Sequence, residues 1–154
     1  MSNHLNMKKE YSTHIPMLIK AVQMTNGSVL ELGAGLYSTP LLHWLCAEDR
    51  RKLVTYENNP EYLSWARKYQ SRTHNIVDNL NLPDIHWSVV FIDNGIDERE
   101  KCSIRFKDSA DLIVLHDTES DQYGYENVFP HFKFRYDWKF CKPWTTILSN
   151  FIKL

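Results

Sequence analysis

Titratable side chains follow two apolar segments of the chain. Asp93 comes directly after the segment 87–92, and His116 and Asp117 come directly after the segment 111–115. Short apolar runs of this length are typical of buried strands. Parallel sheets bind ligands at the carboxyl ends of their strands, so these side chains are expected to share one site. We therefore predict that Asp93, His116 and Asp117 are the catalytic residues.

Three kinds of chemistry are compatible with this group. His116 or Asp93 could take a proton from a hydroxyl group as a general base, since histidine titrates near neutral pH. Asp93 and Asp117 could instead bind a divalent cation, and oxygen ligands would suit magnesium. Only these two carboxylates are clear candidates, and Thr118 is a poor ligand, so we expect no metal site. The third alternative is a structural hydrogen-bonded pair, formed by His116 and Asp117, that shapes the floor of a pocket.

A glycine turn follows an earlier apolar run. The run 29–32 has an acid, Glu31, at its third position, and it is followed by Gly33-Ala34-Gly35. Glycine permits positive φ angles and lets a ligand approach the backbone closely. Ser38 stands where a dinucleotide-binding fingerprint would have its third glycine, which weakens that assignment. A tight turn without a ligand remains the alternative.

A second acid ends the next apolar run. Glu57 follows the run 53–56 and lies about 20 residues beyond the glycine turn, as in dinucleotide-binding folds. A carboxylate at this place could accept hydrogen bonds from both ribose hydroxyls of an adenosine. A solvated acid in front of a helix is the alternative interpretation.

Helices are predicted between these strands. Apolar residues at helical spacing begin near Pro16 and end before Asn26-Gly27, and a second helix has Thr39 as its predicted N-cap. A third begins with Asn59 as N-cap, and its aromatic stripe is expected to face the core. The segment 97–110 is predicted to be an exposed helix, with Arg99 and Arg105 as surface charges, although Arg99 is close enough to the end of the preceding strand to meet an anionic substrate. A short strand is expected at 75–77.

The C-terminal part predicts a hairpin. Aromatic residues alternate with polar ones through 132–141, and 145–151 is a second β-type run after a Lys-Pro-Trp turn. Alternation with period two indicates a strand with one buried face. Two strands joined by a tight turn must be antiparallel neighbours, whereas the preceding strand–helix alternation requires a parallel sheet.

The bulk composition limits the function classes. The chain has 154 residues, 18 basic and 19 acidic, with a net charge of −1. This predicts a single domain over 12–154 after a flexible segment 1–11, and it gives no electrostatic basis for binding nucleic acid or an anionic membrane. The three cysteines are far apart, and 1–11 lacks the apolar part of a secretion signal. We therefore expect reduced cysteines, a cytoplasmic protein and no membrane association.

With these residues in hand, the chain resembles the class I S-adenosylmethionine-dependent methyltransferases from about residue 12 to its end. Glu31-Leu32-Gly33-Ala34-Gly35 matches the cofactor motif, and Glu57 matches the ribose acid. The segments 90–93 and 113–118 resemble a small subgroup with Ile-Asp and His-Asp-Thr at successive strand ends. The resemblance implies an α/β, Rossmann-like, doubly wound and mostly parallel sheet with an antiparallel C-terminal hairpin.

The resemblance also implies a function and a set of binding residues. It implies methyl transfer from S-adenosylmethionine to an oxygen atom of a small molecule. The cofactor-binding residues would be Glu31, Gly33, Ala34, Gly35, Ser38, Thr39, Glu57, Asn58 and Asp93. In the metal-dependent version, which catechol-type methyltransferases represent, Asp93 and Asp117 would hold magnesium. Two alternatives remain open, a non-catalytic S-adenosylmethionine- or nucleotide-binding protein and an NAD-binding oxidoreductase.

Some features depart from the family pattern. Asn94-Gly95 follows the Ile-Asp pair, where the subgroup usually has a histidine shortly afterwards. The Asn-Pro-Pro-Tyr motif of nucleic-acid amino-methylating enzymes is missing, as is a large recognition insertion, so we expect no nucleic-acid partner. The aromatic-rich segment 123–144 could supply a homodimer surface.

Overall fold

The computed structural model of the protein describes residues 5 and 7–154. Residues 1–4 and 6 of the predicted flexible segment 1–11 therefore lie outside the described residues. Within that segment and just beyond it, Lys9–Ser12 forms a short 3₁₀ helix.

A seven-stranded mixed sheet organises the molecule. Its strands lie in the order β3-β2-β1-β4-β5-β7-β6. Strands β1 to β5 are parallel where they pair, whereas β7 is antiparallel to both β5 and β6. The strands are β1 Val29–Leu32, β2 Leu53–Tyr56, β3 His74–Val77, β4 Trp87–Ile92, β5 Ala110–His116, β6 Phe134–Trp138 and β7 Thr145–Ser149. This confirms the predicted fold class, including the antiparallel C-terminal pair.

Helices cover both faces of the sheet. They are α1 Ile15–Gln23, α2 Ser38–Glu48, α3 Pro60–Ala66, α4 Ile96–Phe106 and α5 Tyr125–Val128, with further 3₁₀ turns at Arg67–Tyr69, Asp121–Tyr123 and Phe129–His131. Helices α1 and α2 share one apolar cluster with the sheet, and α4 and α5 share another. The sheet is therefore the middle of three layers.

The alternation of side chains along the central strands explains the two clusters. Leu30 and Ile92 belong to the cluster under α4, whereas Val29 and Phe91 belong to the cluster under α1. Successive residues of a strand point to opposite faces. Strands covered on both faces have no polar side, which is why β4 consists of buried residues throughout.

Two helix starts differ in how well the sequence predicted them. The side chain of Asn59 accepts hydrogen bonds from the N–H groups of Glu61 and Tyr62 at 3.0 and 3.3 Å, as expected of an N-cap. The predicted cap of α2 was wrong, because α2 begins at Ser38 and Thr39 lies inside its first turn. The Thr39 hydroxyl instead interacts with a buried carboxylate, described below.

The aromatic side chains of β6 and of α3 are less buried than the sequence predicted. In β6 the aromatic side chains are only half-buried or exposed, because β6 is an edge strand. The aromatic stripe of α3 is likewise only partly buried, and Ala66 is its one fully buried residue. Cys46, Cys102 and Cys141 are free thiols, as predicted. Within residues 5 and 7–154, no helix has the length and apolar character needed to cross a bilayer.

Candidate active site

A cavity of about 380 Å³ opens at the carboxyl ends of β1, β2 and β4. The loops after these strands line it through Gly33–Leu36, Tyr56–Asn59 and Asp93–Gly95. The chain leaves β1 toward β2 on one side, and β4 lies on the other side, so the cavity is at the point where the strand order reverses. Open α/β sheets bind ligands at this position.

The glycine turn lies directly against the loop after β4. Gly33 has a φ angle of +92°, and a Cβ atom added to it would lie 2.5 Å from the carbonyl oxygen of Asp93. Such a contact is shorter than van der Waals distance and would meet rigid backbone. Glycine is therefore required at position 33 to bring the β1 and β4 loops together.

Glu57 joins the loops after β1 and β2. One of its carboxylate oxygens accepts a hydrogen bond from the N–H of Ala34 at 2.9 Å, and the other accepts one from the N–H of Asn59 at 2.7 Å. Burial raises the pKa of Glu57, although these backbone N–H groups oppose the rise. Each oxygen keeps a second lone pair, so Glu57 can still accept hydrogen bonds from a ligand in the cavity it lines.

Glu31 lies beneath the glycine turn and does not line the cavity. Its side chain has 0% exposure and accepts hydrogen bonds from Thr55 at 2.7 Å and from Thr39 at 3.0 Å. The Thr39 hydroxyl in turn accepts one from the N–H of Gly35 at 3.0 Å. Burial raises the pKa of Glu31 to about 7. Glu31 thus supports the shape of the turn through a relay of hydrogen bonds.

This relay continues to a pair of histidines. The Nε2 atom of His74 lies 2.8 Å from the Thr55 hydroxyl, and its Nδ1 atom lies 3.0 Å from Nδ1 of His43. Burial, and secondarily the charge of His43, lowers the pKa of His74 to about 4. A neutral His74 can donate through Nε2 and accept through Nδ1. Because Thr55 donates to Glu31, this arrangement satisfies every member of the relay.

The sequence interpretation did not include His43, His74 or Thr55. Thr55 was the one signal in the sequence, because a threonine within an otherwise apolar strand needs a hydrogen-bond partner when it is buried. The parallel register pairs Thr55 with Glu31 on the neighbouring strand. That register could not be read from the sequence, so the partnership became visible only in the fold.

Arg99 contacts two of the predicted catalytic acids. Its guanidinium group donates hydrogen bonds to Asp93 at 2.7 Å and to Asp117 at 2.9 Å, and its Nε donates to the carbonyl oxygen of Asn94 at 2.7 Å. The residue is 6% exposed, so the prediction of a surface charge was wrong. Its position in the first turn of α4 aims it at both strand ends, where two carboxylates compensate its buried charge.

His116 lies behind Asp93 rather than in the cavity. Its Nδ1 is 3.4 Å from Asp93 and 3.6 Å from Asp117, and its Nε2 is 3.0 Å from the hydroxyl of Thr13. Burial lowers the pKa of His116, but the adjacent Asp93 and Asp117 carboxylates outweigh burial and raise it. Burial raises the pKa of Asp93, but His116 and Arg99 outweigh it, so that pKa is lowered. His116 and Asp93 therefore stabilise each other's charged forms.

His14 is a further residue of the site, and it was not among the predicted site residues. It precedes α1, is 2% exposed and lines the cavity together with Asp93. Its ring centroid lies 4.9 Å from those of Phe91 and His116. Among the described residues, neither ring nitrogen has a hydrogen-bond partner. Burial, assisted by the charge of His116, lowers the pKa of His14 to about 3, so its imidazole is neutral at physiological pH.

The predicted site residues occupy three positions in the structure. Gly33, Ala34, Gly35, Glu57, Asn58 and Asp93 line the cavity. Glu31, Ser38 and Thr39 are buried beneath the glycine turn. His116 and Asp117 form a layer behind Asp93, where Asp117 has a φ angle of +57° that directs the chain out of β5. Tyr11 and Tyr62 add aromatic walls that the sequence interpretation did not include.

Comparisons with known proteins find similarity at the level of structure. No protein-family model and no curated protein sequence matches the chain. The N-terminal domain of human METTL16, in complex with SAH, superposes with a TM-score of 0.65 at 11% identity, covering 97% of this chain and 73% of that one.

Two further solved structures have the same fold. An O-methyltransferase from Bacillus cereus in complex with SAH gives a TM-score of 0.61 at 13% identity, covering 97% of this chain and 84% of that one. TrmK of M. capricolum, in complex with S-adenosyl-homocysteine, gives 0.60 at 11% identity, with 90% and 70% covered. At these identities the likeness establishes the fold.

Proposed function

We propose that the protein binds S-adenosylmethionine in the cavity and transfers its methyl group to an oxygen atom of a small molecule. The observation that carries this proposal is the position of Glu57. Its carboxylate lines the cavity at the end of β2, beside the glycine turn and at the reversal of strand order. In a methyltransferase fold, a carboxylate at this position suits the two ribose hydroxyls of the cofactor.

The cavity fits such a cofactor in size and in chemistry. Its volume of about 380 Å³ lies within the range of small-molecule pockets. The glycine turn offers backbone without side chains, and a Cβ at Gly35 would lie 2.6 Å from the Ser38 hydroxyl. Solved structures of the same fold hold S-adenosyl-homocysteine, which supports the choice of ligand. The bound cofactor would supply a methyl group attached to a sulfonium, together with a neutral thioether as leaving group.

Each predicted cofactor residue then has a proposed role. Glu57, with Asn58 beside it, would bind the ribose, and Gly33, Ala34 and Gly35 would present backbone to the cofactor. Glu31, Ser38 and Thr39 would act through the shape of the turn, since they lie beneath it. The family resemblance implied that Glu31 binds the cofactor, whereas this assignment gives Glu31 an indirect role beneath the turn.

Asp93 is the proposed contact for the methyl acceptor. It lines the cavity, and its lowered pKa keeps it ionised so that it can accept a hydrogen bond from an acceptor hydroxyl. Asp93 would accept the hydroxyl proton as the acceptor oxygen bonds to the methyl carbon that the cofactor would supply, with the thioether as leaving group. A weakly basic carboxylate is sufficient, because an oxygen becomes strongly acidic as it is alkylated.

His116, Asp117 and Arg99 are proposed as positioning residues. Both ring nitrogens of His116 already face partners, so we favour Asp93 over His116 as the proton acceptor. Arg99 orients the Asp93 carboxylate through a hydrogen bond of 2.7 Å, and the His116 ring packs behind it with Nδ1 at 3.4 Å. Precise alignment of the nucleophile is the main contribution that a protein can make to an in-line displacement.

Calorimetric titration with S-adenosylmethionine and S-adenosyl-homocysteine tests the proposal. We expect Glu57→Ala to weaken binding at least tenfold, which is about 1.4 kcal/mol. Glu61→Ala is the matched control, because Glu61 is an exposed acid on the neighbouring first turn of α3. Folded protein that binds neither compound would refute the proposal.

The acceptor class requires a second assay. Formation of S-adenosyl-homocysteine can be followed with hydroxyl-bearing small molecules and, in parallel, with RNA and DNA oligonucleotides. We expect turnover with a small-molecule hydroxyl compound and none with the oligonucleotides. Cofactor binding without turnover on any acceptor would favour the non-catalytic alternative, and turnover on an oligonucleotide would contradict the expected absence of a nucleic-acid partner.

A further inference from the structure

We propose that His14, Asp93 and His116 form a binding site for a divalent transition-metal ion at the inner end of the cavity. One ligand atom from each of these residues lies within 4.8 Å of the others. The three residues come from the start of α1, the end of β4 and the end of β5, so only the fold brings them together. This site differs from the two-carboxylate magnesium site that the sequence brought into consideration.

His14 provides the strongest indication of a ligand. A buried polar atom without a hydrogen bond costs free energy, and such atoms are rare in folded proteins. His14 is 2% exposed, and among the described residues neither of its nitrogens has a partner. It lines the same cavity as Asp93. An ion bound beside Asp93 would give one His14 nitrogen a partner.

Thr13 orients His116 through a hydrogen bond, as the residues around metal-binding histidines commonly do. The Thr13 hydroxyl lies 2.8 Å from the carbonyl oxygen of Pro143 and 3.0 Å from Nε2 of His116. A hydroxyl has one proton, and a carbonyl can only accept, so Thr13 donates to Pro143 and accepts from His116. A histidine must be neutral to bind a metal, and in neutral His116 the proton on Nε2 leaves Nδ1 as the metal-binding nitrogen. Outer-shell hydrogen bonds of this kind fix the tautomer of metal-binding histidines.

The distance between Nδ1 of His116 and Oδ1 of Asp93 suits two ligands of one ion. It measures 3.4 Å, whereas charge-assisted hydrogen bonds are shorter, at about 2.7–2.9 Å. Two ligands at about 2.05 Å from a tetrahedral ion lie about 3.3 Å apart. The observed separation therefore matches a ligand–ligand edge better than a strong hydrogen bond. The three ligand atoms lie within 4.8 Å of one another, so His14 would need to move closer by up to about 1.5 Å to complete the tetrahedron.

The surrounding charges tolerate a cation. Asp93 and Asp117 are each bound to Arg99, so two carboxylates face one guanidinium. Oδ1 of Asp93 accepts one hydrogen bond from Arg99 and keeps a second lone pair for the ion. With neutral imidazoles the group carries a net charge of −1, which a divalent ion would change to +1.

The ligand types select the class of ion. Two imidazoles and one carboxylate suit zinc, iron, cobalt or nickel, whereas magnesium and calcium prefer oxygen ligands. Three protein ligands leave at least one coordination position open. His14 and Asp93 line the cavity, so an ion that they held could also bind the acceptor oxygen; this last consequence rests on the proposed methyl transfer, but ion binding itself does not.

Metal titration without cofactor tests the site. Protein freed of metal by chelator dialysis is titrated with zinc(II) by calorimetry and with cobalt(II) by visible absorption, which reports nitrogen and oxygen coordination. We expect one equivalent to bind, at least tenfold more weakly in His14→Ala and in His14→Gln, with magnesium unable to compete. His86→Ala is the matched control, because His86 is an exposed imidazole 2.8 Å from Asp111.

Several outcomes would overturn the site. The site is refuted if the wild-type protein binds no zinc(II). It is also refuted if His14 variants, shown by circular dichroism to be folded, bind zinc(II) with unchanged affinity, or if His86→Ala loses zinc(II) binding. Cofactor affinity is measured separately on the metal-free protein. If zinc(II) does not bind but the cofactor does, the proposed function is unaffected. If the cofactor does not bind but zinc(II) does, the metal site is unaffected.

Discussion

Replacing Glu31 by glutamine is expected to remove a pH-dependent loss of stability. Glu31 is fully buried, and its pKa is raised from 4.5 to about 7. A raised pKa means that the folded protein holds the proton more tightly than the unfolded chain does. Its stabilising contribution is therefore complete below pH 4.5 and is lost as the pH rises to about 7.

The size of this effect follows from the pKa difference. A shift of one pKa unit corresponds to about 1.4 kcal/mol, so Glu31 accounts for a fall of roughly 3 kcal/mol in the free energy of unfolding between pH 4.5 and 8. Glutamine has nearly the same shape and carries no charge. Its amide can still pair with Thr39 and Thr55, which contact Glu31 in the wild type.

Urea unfolding at several pH values between 4.5 and 8 measures this difference. Other titrating groups are common to both proteins, so the wild-type curve subtracted from that of Glu31→Gln isolates residue 31. We expect the variant to gain roughly 3 kcal/mol relative to wild type as the pH rises. Glu61→Gln, which alters an exposed carboxylate, controls for the loss of one charge. Parallel curves for wild type and Glu31→Gln would refute the burial argument.

Three further substitutions test the site. Arg99→Met should lower the free energy of unfolding by about 3 kcal/mol, because two partly buried carboxylates lose their partner; urea unfolding measures this, and a stability equal to wild type would contradict it. Gly33→Ala should lower the free energy of unfolding by about 1–3 kcal/mol, since alanine at φ +92° is strained and its Cβ also meets the carbonyl oxygen of Asp93. Thermal unfolding and cofactor titration should both detect this change, and an unchanged melting temperature would argue against the strain. Thr13→Val removes the hydroxyl that orients His116 and should weaken zinc(II) binding about tenfold; unchanged affinity in calorimetry would show that Thr13 does not orient the ligand.

The sequence by itself determined most of the architecture. Short apolar runs located the parallel strands, alternation with period two located the C-terminal strand, and helical spacing located the helices, because apolar residues must be buried and each backbone geometry presents them at its own interval. The order of the elements then led to a parallel sheet with an antiparallel end, which the structure confirms. Gly33 and Glu57 were also predicted from the sequence, because a turn glycine and an acid at the end of a strand are local features.

The tertiary structure alone decided which polar groups meet. Arg99 lies within a charged helix, and nothing in its local pattern indicates that it binds Asp93 and Asp117. His14 and Asp93 are far apart along the chain, yet they line one cavity. Hydrophobic patterning determines which face of an element is buried, whereas the charge or hydrogen-bond partner of a side chain depends on strand register and on how helices pack across the sheet. Register and packing are global properties, so the inner layer of the site emerged only from the fold.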